Sequence, residues 1–211
     1  MTGAAPPVVT FDDPLAAALE AEAASVWHDW AGALAVAASA CLAGSAGARI
    51  ALQRGHVVDI GGGSIPGLLR LAGAEPVEVG AVDRCDPADL RVALADPGAA
   101  AGLFVLRAAS PAGLVGMPSF VWACREAGRA ALVAIRGAAA APAAALDAGA
   151  DLVVADAADA LGGPPLGLAA GRASLVRACV AGQDGLGRVI LPRAVEVEAL
   201  RSALAGRGRL P

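Results

Sequence analysis

Between residues 49 and 156 the chain alternates short apolar, strand-favouring runs with stretches that open on helix-start residues and close on glycine. The apolar runs are RIALQRG (49–55), PVEVGAV (76–82), AGLFVLRA (101–108), AALVAIRG (130–137) and ADLVVAD (150–156). Between them lie SIPGLLRLAGA (64–74), DPADLRVALAD (86–96), PSFVWACREAG (118–128) and APAAALDAG (141–149). Such runs, recurring at about 25 residues with a helix between each pair, can be joined in one sheet only by crossover connections. Those connections place helices on both faces of a parallel sheet. The expected fold class is therefore α/β, doubly wound or nearly so, a mainly parallel sheet flanked by helices.

The flanks read differently. Residues 1–13 are punctuated by proline and glycine and are expected to form a flexible arm. From Pro14 to about Ala43 the composition favours helix, with Asp12 and Asp13 placed to cap it, Gly44 to end it, and a break near WHDW (27–30) that divides it into two helices. LPRAVEVEALRSALAGRGRLP (191–211) reads as a helical tail, with Val195, Val197, Leu200 and Leu204 partly on one face. The layout is thus an arm over 1–13, one α/β large domain over 14–190 and the tail over 191–211. The hydrophobic share of 57% is inflated by alanine. The stretch 31–48 is rich in small residues and lacks a flanking basic cluster, so a buried helix is expected and no membrane span. The first residues carry no basic and apolar leader, which gives a cytoplasmic expectation.

Charge and missing residue types bound the chemistry. The net charge is −4, and the 16 basic residues, every one of them arginine, are scattered without a basic stripe, which disfavours nucleic acid as a partner. The chain contains no lysine, asparagine or tyrosine. A Schiff-base mechanism needs a side-chain amine, and this chain has none to offer. Cys41, Cys85, Cys124 and Cys179 form no C-x-x-C pair and have no histidine at ligand spacing, so buried thiols are expected and no zinc site. The glycines of DIGGGSIPG (59–67) allow two readings, a phosphate cradle at a helix start or a tight turn that needs positive φ. Glu78, Asp83, Asp86 and Asp89 suggest a divalent metal, but helix capping and loop polarity account for Asp86 and Asp83. His56 after a strand, and His28 with Asp29 between Trp27 and Trp30, are candidate acid–base or ligand-facing groups; the competing reading is structural histidine and aromatic core.

Three segments in the same order resemble one family. QRGHVVDIGGGSIPGLLRLAGAEPVEVGAVDRCDPADLRVAL (53–94), SPAGLVGMPSF (110–120) and DAGADLVVADAADALGGPPLGLAAGRASLVRA (147–178) are similar to selenocysteine synthase, L-seryl-tRNA(Sec) selenium transferase, and to the related D-glucosaminate-6-phosphate ammonia-lyases. The resemblance implies the fold type I scaffold of pyridoxal-phosphate (PLP) enzymes, whose large domain is a seven-stranded, mainly parallel sheet. It also implies losses. The family's PLP lysine precedes the Gly-Gly-Pro turn by three residues, and that position here is Asp159, before Gly162 and Gly163. The acid that pairs with the pyridinium nitrogen corresponds to Ile135. Gly113, in the segment that begins at Ser110, stands in place of an arginine. The asparagine-rich start of the phosphate-side helix falls at His28, Asp29 and Trp30.

On that basis no catalytic residue and no metal ligand is expected. His28, Asp29, Ser110, Ile135, Gly162 and Gly163 would line a degenerate pocket. The expected cofactor is none, with ancestral PLP lost. Relative to family enzymes the chain starts late and stops just after the large domain. The expected function is a catalytically inactive homologue, a scaffold or regulatory subunit that pairs with itself or with an active PLP-dependent paralogue. Two alternatives stand beside it. One is a transferase or lyase acting on an amino acid or amino sugar, with non-covalent cofactor or divergent chemistry around Asp159, His28, His56 and Arg107. The other is a small-molecule binding module.

Overall fold

A computed structural model describes residues 14–42, 48–57, 64–108, 110–137, 142–181 and 191–207. Among them, seven strands form one sheet: β1 (Ala23–Trp27), β2 (Arg49–Gln53), β3 (Glu75–Val79), β4 (Ala99–Arg107), β5 (Ala130–Arg136), β6 (Leu152–Asp156) and β7 (Gly167–Gly171). Their order is β1-β7-β6-β5-β4-β2-β3. Strands β2 to β6 pair in parallel, while β7 runs antiparallel between β6 and β1. The α/β, mainly parallel expectation is met.

The helices are α1 (Pro14–Ala18), α2 (Trp30–Cys41), α3 (Ile65–Leu71), α4 (Pro87–Ala95), α5 (Met117–Glu126), α6 (Pro142–Asp147), α7 (Ala157–Leu161), α8 (Ala173–Ala181) and α9 (Ala194–Arg207). Helices α2, α3 and α8 cover one face, where Leu34, Ile65, Leu69 and Val176 pack on Leu52, Leu103, Val105, Leu132 and Val154. Helices α4, α5 and α6 cover the other, through Leu90, Leu94, Phe120, Val121 and Ala145 against Phe104, Val133 and Ile135. The two burial sets alternate along each central strand, because successive side chains leave a strand on opposite faces. A third cluster joins α1, α7 and α9 to the outer side of β1 and β7. No helix among the described residues is long and apolar enough to cross a membrane.

The sequence reading is corrected at one end of the sheet, where β1 and β7 lie side by side. Residues 14–42 are not two helices alone: β1 lies between α1 and α2, entered through Glu20 at φ +53. The stretch after the Gly-Gly-Pro turn is β7 before it becomes helix α8. AASVW and GLAAG carry little β-branched character, so pairing, not propensity, makes them strands. All five residues of each are buried. The approach is close enough that a Cβ on Gly167 would lie 2.0 Å from the Asp29 carbonyl oxygen. In the tail, Val197 and Leu200 are buried as expected, but Val195 faces solvent at 70% exposure. The arm over 1–13, Asp12, Asp13, Gly44 and the triple glycine at 61–63 lie outside the described residues.

Candidate functional site

The carboxyl ends of the parallel strands and the start of α2 meet at one edge of the sheet, where open α/β folds place their ligands. At that edge Asp29 caps α2, its carboxylate accepting from the Gly32 N–H at 2.6 Å. Trp30, the first residue of α2, is 2% exposed. Its indole N–H donates to the Ile135 carbonyl oxygen at 2.7 Å. The Arg136 guanidinium stands over the same indole, 5.1 Å from the ring centroid. Trp30 thus fills the space between the end of β5 and the head of α2. Ile135 itself is buried and brings no charge there. His28 turns the other way, toward α9, with Nδ1 3.9 Å from Glu196. Hydrogen bonds from Arg193 hold the Glu196 carboxyl below its ordinary pKa.

The ends of β2 and β4 form a second polar group. Gln53 is fully buried and pairs twice with Val115, donating to its carbonyl oxygen at 3.0 Å and accepting from its N–H at 2.7 Å. His56 is fully buried too, and its Nδ1 accepts the Val105 N–H at 3.4 Å. The β2–β4 register runs out at Leu52 and Leu103, so the imidazole serves a backbone donor that the ladder no longer reaches. The ring lies edge-on to Phe104, with centroids 4.4 Å apart. Burial, and then the neighbouring charge of Arg107, push the His56 pKa down to about 4. Arg107 donates from Nη2 to the Gly55 carbonyl oxygen at 2.9 Å.

The loop positions singled out in the sequence are distributed around these two groups. Ser110 is exposed. Gly113 bridges to Arg84, and its carbonyl oxygen accepts the Cys85 N–H at 3.0 Å. A Cβ at Gly113 would sit 2.5 Å from the Asp83 carbonyl oxygen, so the arginine of the resemblance has no room in this conformation. Asp159 is exposed in the first turn of α7, a helix capped by Asp156 through the Ala158 N–H at 2.8 Å. Gly162 ends α7 at φ +61, the left-handed conformation that glycine adopts without a Cβ clash. Gly163 lies under α9, where a Cβ would meet Leu200 Cδ1 at 2.8 Å. The structure therefore gathers Asp29 and Ile135 around Trp30, sets Gly163 beneath α9, and leaves Asp159, Gly162 and Ser110 exposed.

The acidic candidates do not converge. Glu78 accepts from Arg54 at 3.1 Å and Asp86 caps α4 through the Ala88 N–H at 2.7 Å. Among the described residues no group of three or more His, Cys, Asp or Glu is placed to hold a metal ion. The four cysteines are free and buried, and burial pushes the Cys124 and Cys179 thiols up to about 12. A cleft of about 300 Å³, lined by Glu20, Glu22, Arg125, Asp147, Asp151 and Arg172 among others, lies at the opposite end of β6. Sequence reasoning missed Arg136 and Gly167; their roles rest on strand register and on close backbone approach, which leave no local signal.

Residues 9–108 match the family model for L-seryl-tRNA selenium transferase. A Streptomyces protein described as 5'-C-glycyluridine monooxygenase-decarboxylase is 31% identical over 181 residues, covering 74% of this chain and 42% of that protein. The structure of D-glucosaminate-6-phosphate ammonia-lyase superposes with a TM-score of 0.82 at 23% identity, covering 96% of this chain and 60% of that one. YhfS from Escherichia coli, described as pyridoxal-5'-phosphate dependent, gives a TM-score of 0.66 at 18% identity over 90% of this chain and 50% of that one. This chain thus spans less than two thirds of each of these relatives.

These comparisons correct the cofactor expectation. A chain with no cofactor was expected, yet the solved structures that share its fold include one described as pyridoxal-5'-phosphate dependent, and these likenesses give loss of the cofactor no support. What the residues at the site establish is narrower. With no lysine in the chain there is no amine for a covalent link, and the Asp29 carboxylate already takes the Gly32 N–H at the head of α2. Those two features do not match a Schiff-base-anchored phosphate ester. Over residues 9–108 the chain is similar in sequence to L-seryl-tRNA selenium transferase, and across the sheet and its helices it shares the fold of D-glucosaminate-6-phosphate ammonia-lyase.

Proposed function

We propose that this chain is a non-catalytic subunit, a scaffold or regulator that pairs with itself or with a PLP-dependent paralogue carrying the lysine. The observation that carries the reading is Asp159, which stands on α7 just before the intact Gly162–Gly163–Pro164 turn in a chain without a single lysine. A carboxylate cannot form an imine, so this chain does not supply the nucleophile of the family's covalent chemistry. Around that position the fold is retained, with strands, turn glycines and helices in their places. Retention of shape without the nucleophile suits a role in assembly.

The test is co-expression with a full-length, lysine-bearing homologue from the same genome, followed by native mass spectrometry and steady-state kinetics of the partner. A heteromer of defined stoichiometry, with a changed kcat/KM for the partner, is the expected result. A chain that stays monomeric beside that homologue, or that turns over an amino acid or amino sugar on its own, overturns the proposal.

A further inference from the structure

Arg107 and Arg136 are register partners at the carboxyl ends of β4 and β5. Partners in a parallel ladder project from the same face, and the residues two and four positions earlier, Val105 and Leu103 with Ala134 and Leu132, belong to the core under α2. Two arginine side chains therefore leave neighbouring strands from one face, a concentration of positive charge that favours a negative group between or above them. Arg49, Arg54, Arg172, Arg193 and Arg201 each meet a carboxylate. Arg107 and Arg136 meet none among the described residues; their contacts are the Gly55 carbonyl oxygen and the Trp30 ring.

Two buried donors at the same edge also lack an acceptor. Arg107 Nε is one, and His56 Nε2 is the other. Because His56 Nδ1 accepts from the Val105 N–H, the proton of the neutral imidazole sits on Nε2, which makes that atom a donor. Buried donors left without partners mark places where an acceptor belongs, and beside paired arginines the acceptor that fits is anionic.

We propose that the carboxyl edge of β4 and β5 is an oxyanion-binding site, in which Arg107 and Arg136 hold the phosphate or carboxylate group of a small ligand. Trp30 supports the site by fixing the Arg136 guanidinium over its ring, and the Arg107 Nε–H supplies a directed hydrogen bond. This binding function goes beyond the subunit role, since it belongs to the isolated chain whatever its partner.

Calorimetric titration of the full chain with inorganic phosphate, and separately with acetate at matched ionic strength, tests it. Saturable binding of at least one of the two is expected, and which one binds identifies the group recognised. Arg136→Gln, at an exposed position that the core does not need, is expected to weaken that binding at least tenfold, as is Arg107→Gln; Arg91→Gln on α4 is expected to leave it unchanged. The Arg107 Nε–H resonance of the native chain is expected to shift along the same saturation curve, a reading that does not depend on any variant folding. The proposal is overturned if neither anion saturates, if Arg136→Gln binds as the native chain does, or if the Arg107 resonance stays in place at saturation.

Discussion

Acidification is expected to destabilise this protein through His56 before most carboxylates are protonated. Folding moves the His56 pKa from its ordinary 6.5 down to about 4, because the fully buried ring cannot hydrate a charge and Arg107 stands beside it. The folded chain therefore keeps the imidazole neutral, while the unfolded chain takes up a proton below pH 6.5. The stability is complete above pH 6.5, falls as the pH drops, and levels off below the folded value near 4. The whole window is worth about 3 kcal/mol, of which about 2.5 kcal/mol is lost by pH 4.5. That is a large part of the stability of an ordinary domain. Urea unfolding of the native chain and of His56→Gln at a series of pH values from 7 to 4.5 isolates the effect, since His28 and every carboxylate are common to both. The variant is expected to be the less stable protein at pH 7, where Phe104 loses its ring partner, and to close about 2.5 kcal/mol of the gap by pH 4.5. A difference between the two that stays constant across the range refutes the reasoning.

Three substitutions probe the close contacts at the site. Trp30→Phe removes the donor that satisfies the Ile135 carbonyl oxygen and weakens the shelf under Arg136, with an expected cost of about 1–3 kcal/mol in chemical unfolding. Gly167→Ala drives a Cβ into the Asp29 carbonyl oxygen 2.0 Å away, so β7 or the head of α2 must shift; a loss of about 3 kcal/mol or more is expected in thermal unfolding, and an unchanged Tm would contradict the packing. Gly113→Arg places the side chain that the family resemblance calls for, yet its Cβ meets the Asp83 carbonyl oxygen at 2.5 Å. The variant is expected to lower Tm without any gain in phosphate or PLP binding by titration.

The central strands β2 to β6 and the helices between them were legible because each carries its own local signal. Ile50, Val77, Val105, Val133 and Val153 sit in short apolar runs, and each helix opens on a capping residue or proline and stops near a glycine. β1 and β7 carry no such signal. Their alanines and glycines are neutral or unfavourable in strands, and β7 forms because β6 offers an unpaired edge and Gly167 lets its backbone reach the α2 cap.

The site divides along the same line. The sequence alone determined that no amine exists for a Schiff base and that Asp159 precedes the Gly-Gly-Pro turn, because both are matters of residue identity. Only the tertiary structure decided that Trp30 lies against the end of β5, that Gly113 has no space for a side chain, and that Arg107 stands beside Arg136. Those facts depend on strand register and on backbones meeting within a few ångströms, and residues far apart in the chain specify such contacts only jointly, through the packing of the whole sheet.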